Sequence, residues 1–295
     1  MGATNIKCAA VRIRPGEEPR VSYLETLATV ESPNPVAVRR QVEGIALGHL
    51  SRERFEAVGL AFPGTVDTEA GTTGVVPNIE GDWNGFSLSF PISQAIGVPV
   101  RLINDARAFA LAEARAGAAR GLDTAVFLTL GTGIGGGVII GGRLHRGRGG
   151  IAGEIGHQVL DTSDDAPRCG CGNTGCLEAL ALPARMCQAA GQTSVRAVFA
   201  AAAAGDGTAA AALAAAIRYI AVGLANVNAL LCPDAFVVGG GIAQAGEALR
   251  RPLVRELRRR VTLDNPEAVD VRLAQLGHQA GAVGAAFWAL EPGQA

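Results

Sequence analysis

Residues 124–140 read TAVFLTLGTGIGGGVII: an apolar run, a turn holding five glycines between positions 131 and 137, and a second apolar run. Two short apolar segments joined through glycine predict a β-hairpin. Glycines 131, 133 and 136 match the spacing G-x-G-x-x-G, but that fingerprint belongs between a strand and a helix. Here Val138, Ile139 and Ile140 read as a returning strand, so the stretch predicts a glycine-rich hairpin loop instead. Its backbone N–H groups and the Thr132 hydroxyl can meet phosphate oxygens, whereas a hairpin with no ligand needs only one or two glycines.

Working outward, residues 6–13 and 21–30 predict an earlier hairpin around Pro15, Gly16 and Glu17, so the hairpin at 124–140 has a counterpart and two related halves are expected. Asn34 caps a helix over 35–50, with Pro35 in its first turn and an apolar stripe of Val38, Val42, Ile45 and Leu50. Residues 58–62 and 98–103 are short apolar strands, the second ending at Asn104 and Asp105, where an alanine-rich helix runs to about 116. Helices follow over 177–189, 195–204 and 209–231, the last keeping a helical period through Leu213, Ile217, Ile220 and Leu224 despite its alanines. A strand at 235–238 runs into Gly239, Gly240 and Gly241, a run suited to close backbone approach to a nucleotide. A strand at 269–276 and a helix at 281–290 complete an α/β pattern.

Three of the six cysteines fall within eight residues, in HQVLDTSDDAPRCGCGNTGCLE at 157–178. Cys169, Cys171 and Cys176 with His157 are a complete tetrahedral shell for zinc, and a structural zinc site leaves no position for a metal-bound water. Buried free cysteines do not usually sit among glycines and polar residues. A disulfide between residues this close would be strained and would strand the third thiol.

Composition agrees with a cytoplasmic protein. The chain has 295 residues, 48% hydrophobic and 18% charged, enough for two domains. No basic segment followed by an apolar run opens it, and no stretch reads as a run of about eighteen uncharged apolar residues. A net charge of -1 gives no field for nucleic acid or anionic lipid. The arginines at 250, 251, 255, 258, 259 and 260 read as a solvated helix face, since no aromatics interleave them. Neither nucleic acid nor membrane is expected as a partner.

Asn104 and Asp105 are good helix caps on their own. Glu154 and His157 lie three apart and share a face of a turn, and the cysteine loop ends at Glu178. Together these residues suit a ligand rich in hydroxyls.

The segments AFPGTVD, VPNIEG, INDARAFALAE, LGTGIGGGVIIGGRLHRGRGGIAGEIGHQVL and CGCGNTGCLEA, in this order, resemble the ROK family of repressors, open reading frames and sugar kinases across nearly the whole chain. The resemblance implies a two-domain actin-like ATPase, ribonuclease H-like and hexokinase-type, with a sugar between domains. Its small domain would be 1–104 plus 280–295 and its large domain 105–279. It implies ATP-dependent phosphorylation of a hexose, glucose first, with Asp105 as base. A non-catalytic sugar sensor, or a kinase of N-acetylhexosamines or allose, is the alternative. Asn104, Asp105, Glu154, His157 and Glu178 match sugar contacts, as do Gly64 and Asn78; Gly2, Thr4, Thr132, Gly133, Gly240 and Gly241 match nucleotide contacts. Magnesium would accompany ATP, zinc would be structural, and a homodimer or larger homo-oligomer is implied. The family begins with a strand leading into D-x-G-x-T, of which only Gly2 and Thr4 have counterparts here, so an upstream strand with an aspartate two residues before Gly2 is expected.

Overall fold

The computed structural model describes residues 4–14, 17, 19–31, 34–76, 79–263 and 265–291. The chain opens with β1 (Asn5–Arg12), β2 (Arg20–Ala28), α1 (Pro35–Leu50) and β3 (Val58–Phe62). Three two-residue strands follow, β4 (Val66–Asp67), β5 (Thr72–Thr73) and β6 (Phe86–Ser87), then α2 (Ser89–Ile96), β7 (Val100–Asn104) and α3 (Asp105–Ala116). Next come β8 (Ala125–Leu130), β9 (Ile134–Ile140), β10 (Arg143–Leu144), α4 (Leu177–Ala181), α5 (Pro183–Ala189), α6 (Val195–Ala203) and α7 (Gly207–Leu231). The last elements are β11 (Ala235–Gly239), α8 (Glu247–Arg258), β12 (Val271–Leu273) and α9 (Ala280–Leu290).

Two compact units result. The first comprises Met1–Gly117, Arg146–Ala152 and His278–Ala295; the second comprises Ala118–His145 and Gly153–Gly277. The helix that begins at Asp105 therefore lies in the first unit, where the sequence reading placed it in the second. Packing explains the difference: α9 lies so close to α3 that a Cβ at Gly284 would strike the Ala108 carbonyl. The same helix is pinned to β7 by Trp288 Nε1 donating to the Leu102 carbonyl at 3.0 Å.

In the first unit β1 and β2 pair antiparallel, with a register shift between Cys8 and Ala9, and β3 and β7 pair parallel. Asn34 caps α1 as expected, its Oδ1 accepting from Ala37 N at 2.9 Å. Val38, Val42, Phe62, Trp83, Leu88, Ile92 and Leu102 form the core. The predicted turn residues Pro15 and Gly16 lie outside the described residues.

The second unit is built on one sheet in the order β10-β9-β8-β11-β12, parallel from β8 through β11 to β12 and antiparallel from β8 to β10. The predicted hairpin is there, but β9 begins at Ile134 and the glycines at 135–137 are ladder residues. Val126, Leu128, Phe236 and Val238 pack against α7 and α8 through Ile217, Ile220, Leu224, Leu249, Leu253 and Leu257. Each such side chain contributes about 1.5–3 kcal/mol by leaving water.

The single helix expected over 177–189 is two, because Pro183 forces Leu182 to an extended ψ of 141° and cannot continue the ladder. By length and composition α7 could cross a membrane, contrary to the sequence reading. In this unit its apolar face supplies core, including Ala216, Ile217, Ala221 and Leu224. Most of the arginines in and just after α8 are paired with carboxylates: Arg250 and Arg251 with Glu247, Arg259 and Arg260 with Glu256, and Arg258 with Glu267.

Candidate active site

In the first unit β7 delivers Asn104 and Asp105 to the N-terminus of α3. Asn104 adopts the extended cap conformation, and its Oδ1 accepts from the N–H groups of Ala106 at 3.0 Å and Arg107 at 3.1 Å. Arg107, buried among alanines, completes the clamp by donating from Nη1 to Asn104 Oδ1 at 3.1 Å and from Nη2 to the Ile151 carbonyl at 3.0 Å. The amide of Asn104 is thereby fixed, so its Nδ2 donates to the Gly64 carbonyl at 2.8 Å and to Asp105 Oδ1 at 3.2 Å. Asn104 was expected to touch a ligand; its polar atoms are committed here to orienting Asp105 and the Gly64 turn. Arg107 was missed because a lone arginine in an alanine-rich helix carries no motif of its own.

Asp105 Oδ1 also accepts from Ala106 N at 2.8 Å, and no described residue donates to Oδ2. The residue keeps an open face to solvent while protein crowds its other sides, so its desolvation is partial. Burial raises its carboxyl from the ordinary 3.8, against the lowering pull of the Ala106 N–H and the Arg107 guanidinium. Such a carboxylate, with one anchored oxygen and one free, is suited to accept a proton.

Gly64 has φ +78°, and a Cβ there would run into the Val75 carbonyl oxygen. That contact follows from interlocked turns: Thr65 N donates to Val75 O at 3.0 Å, and Val75 N to Thr65 Oγ1 at 2.8 Å. Gly64→Ala is expected to cost roughly 2 kcal/mol or more through left-handed strain and the clash. Urea unfolding with an unchanged midpoint would contradict this. Thr4 is exposed and its carbonyl accepts from Thr29 N at 3.0 Å. Gly2 and Asn78 lie outside the described residues.

In the second unit the cysteine loop closes on itself. Cys169 Sγ lies 3.6 Å from His157 Nδ1, Cys171 Sγ lies 3.7 Å from Cys176 Sγ, and the four donor atoms are all within 4.8 Å of one another. Zinc bonds of about 2.3 Å to sulfur and 2.0–2.1 Å to nitrogen, at tetrahedral angles, require edges of about 3.8 and 3.6 Å. The donor set and its spacing fit zinc. Burial pushes the Cys176 thiol up to about 12 and raises that of Cys169, whereas the N–H of Asn173 lowers that of Cys171. A divalent cation reverses the penalty on gathering thiolates. Cys8, Glu25 and His49 of the first unit also bring donor atoms within 4.8 Å, His49 Nε2 pairing with Glu25 Oε1 at 2.7 Å.

His157 ends a short 3-10 turn, Ile155–His157, and turns its two nitrogens to different tasks. Nδ1 faces the sulfurs, while Nε2 lies 3.6 Å from Glu154 Oε2, and both side chains are partly exposed. Glu178, in the first turn of α4, joins the cysteine loop to the glycine hairpin. Its Oε2 accepts from Ile134 N at 2.8 Å, and its Oε1 lies 3.7 Å from Cys169 Sγ.

That contact adds a packing reason to the glycine reading. A Cβ at Gly133 would strike Glu178 Oε2, and one at Gly136 would crowd the Gly153 carbonyl. These two glycines are small because a carboxylate and a backbone lie against them. Thr132 remains exposed at the tip, where Gly131 N donates to Gly133 O at 3.0 Å. The pair at the end of β11 divides likewise: Gly240 has φ +89° and no room beside Leu130, while Gly241 faces open space.

A model of the ROK family matches residues 1–292. The glucokinase of Streptomyces coelicolor is 34% identical, over 99% of this chain and 96% of its own length. Among solved structures, the ROK hexokinase of Thermus thermophilus superposes with a TM-score of 0.82 at 35% identity, covering 98% of this chain and 95% of that one. The ROK glucokinase of Streptomyces griseus, solved in complex with glucose and AMPPNP, gives 0.79 at 32% identity, covering 98% and 97%. Its α/β units are those of an actin-like ATPase fold, and with the family match running almost end to end, this chain belongs to the ROK family.

Proposed function

We propose that this protein is a sugar kinase that transfers the γ-phosphoryl group of ATP to a hydroxyl of a hexose, glucose being the first substrate to test. The supporting observation is Asp105: a carboxylate at a helix N-terminus, one oxygen anchored by Ala106 and Asn104 and the other without a donor among the described residues. In the transfer the sugar oxygen bonds to the γ-phosphorus, the bond from phosphorus to the bridging oxygen breaks toward ADP, and the hydroxyl proton passes to Asp105 Oδ2. Such chemistry depends on positioning and charge stabilisation more than on covalent help from the protein. The raised carboxyl strengthens Asp105 as a base.

Glu154 and His157 Nε2 form a pair able to accept from and donate to adjacent hydroxyls. Thr132 and Gly241 present an exposed hydroxyl and an unobstructed backbone to the nucleotide phosphates. His157, Cys169, Cys171 and Cys176 would hold zinc, which would supply a brace rather than chemistry, since four protein ligands would close its shell. Magnesium arriving with ATP neutralises phosphate charge. Kinship with glucokinases supports glucose, and Asp105 favours turnover over sensing.

A coupled assay of ADP release across glucose, mannose, fructose, allose, N-acetylglucosamine and N-acetylmannosamine tests this reading. Turnover on one sugar at least 10-fold above the others in kcat/KM is expected. No turnover on any of them, with magnesium present, would remove the kinase reading.

A further inference from the structure

The last turn of α1 carries a histidine where its buried stripe would continue. Val42, Ala46 and His49 stand at helical spacing, and only the first two are apolar core. On β1, Ile6 and Cys8 alternate onto one face: Ile6 enters that same core and Cys8 packs against it. Glu25 is the partner of Cys8 across the hairpin, so the two side chains leave the sheet on the same side. The next matched pair is Ala9 with Tyr23, which leaves Leu24 as the extra residue of a bulge beside Glu25. A bulge at that point re-aims the side chains next to it.

The result is a thiol, a carboxylate and an imidazole, each half-buried, with donor atoms all within 4.8 Å of one another. The ion pair of His49 Nε2 with Glu25 Oε1 explains two of the three. It leaves the sulfur: Cys8 is in no disulfide, and no hydrogen bond to its Sγ forms among the described residues. Sulfur, nitrogen and oxygen donors brought together from three elements are the donor chemistry of zinc and of borderline cations like it.

We infer that Cys8, Glu25 and His49 bind a thiophilic divalent cation of the zinc class, with the fourth position left to water, and that the ion ties the β1–β2 hairpin to the end of α1. A tetrahedral ion sets its nitrogen and oxygen ligands about 3.4 Å apart, so the His49–Glu25 pair opens by side-chain rotation as the ion enters. The Glu25 side chain is 39% exposed and that of His49 19%, which leaves a path from solvent. Burial and the Glu25 carboxylate raise the Cys8 thiol, a penalty that a cation between sulfur and carboxylate offsets. Unlike the closed shell proposed for residues 157–178, this site keeps an exchangeable position, and its occupancy follows the free metal concentration. The inference stands apart from the sugar-kinase reading, since no step of the transfer uses these residues.

Metal content tests it. The parent protein, Cys8→Ala and His49→Gln are each equilibrated with zinc buffered at about 1 µM, freed of unbound ion, and zinc per chain is counted by mass spectrometry. Each variant is expected to hold one ion fewer than the parent, a difference independent of the 157–178 loop because both variants keep that loop. Equal zinc in the parent and either variant overturns the inference, as does uptake of the extra ion only far above that concentration. Glu25→Gln, read by the same count, replaces a variant that does not fold. Hydrogen exchange then locates the ion: zinc is expected to slow the amides of β1, β2 and the last turn of α1 by roughly 10-fold or more in the parent and not in Cys8→Ala. Slowing in both proteins, or in neither, overturns the assignment.

Discussion

Replacing Asp105 by Asn is expected to lower kcat by roughly 100- to 10,000-fold, the range associated with a positioned general base, while sugar affinity changes only a few-fold. Asparagine keeps the size of the side chain and its anchoring to the Ala106 N–H, so the loss reports the base rather than the fold. The pH dependence follows from the raised carboxyl. Activity requires the carboxylate, so kcat/KM should fall on the acid side with a midpoint above the ordinary 3.8, and the residual activity of Asp105→Asn should lack that limb. The stability sign is opposite: a carboxyl raised in the folded state favours folding at low pH, an advantage lost as pH rises through the raised value. At neutral pH Asp105→Asn should therefore melt no lower than the parent protein. Retained turnover, or a fall in both Tm and sugar affinity, would remove Asp105 from the role of base.

Loss of the zinc shell should have the second largest effect. Cys176→Ser, or extraction of the metal by a strong chelator, is expected to lower Tm by on the order of 10 °C. Loss of a structural metal belongs with the substitutions costing more than about 4 kcal/mol, and each kcal/mol shifts a domain of this size by about 2–4 °C. Sugar affinity should fall with it, because His157 sets both an edge of the proposed zinc site, beside Cys169 Sγ, and the direction of Nε2 toward Glu154. Glu178 extends the consequence to the glycine turn, since its carboxylate is held between Cys169 and the Ile134 N–H. Metal analysis alongside calorimetry checks this. A verified zinc-free protein with unchanged Tm and sugar affinity would show that the loop holds itself.

Hydrophobic periodicity and glycine placement made most of the fold legible. The hairpin at 124–140, the capped helix after Asn34 and the alanine-rich helix from Asp105 appear where their residues predict them, because each carries its own boundary signal. The division at Pro183 was also in the residues, but the helical period over 177–189 outweighed it. The assignment of α3 to the first unit was not legible, since it depends on contact with α9 more than 160 residues later.

The site divides along the same line. The cysteine spacing carried the four-donor cluster, because His157, Cys169, Cys171 and Cys176 lie within 20 residues of one another. Arg107 and the docking of Glu178 on Ile134 were hidden, being products of tertiary approach. Glycine is ambiguous in sequence for a physical reason: a missing side chain serves a ligand and a packed neighbour equally, and at Gly133, Gly136 and Gly240 the neighbour is protein.

The most direct test of the account is to follow the phosphoryl group. The protein is incubated with magnesium, ATP labelled on the γ-phosphate and glucose, and both products are quantified. One labelled hexose phosphate for each ADP, with neither formed by Asp105→Asn above roughly one per cent of that rate, is the predicted result. ADP released without labelled sugar, or labelled sugar made equally well by Asp105→Asn, would contradict it.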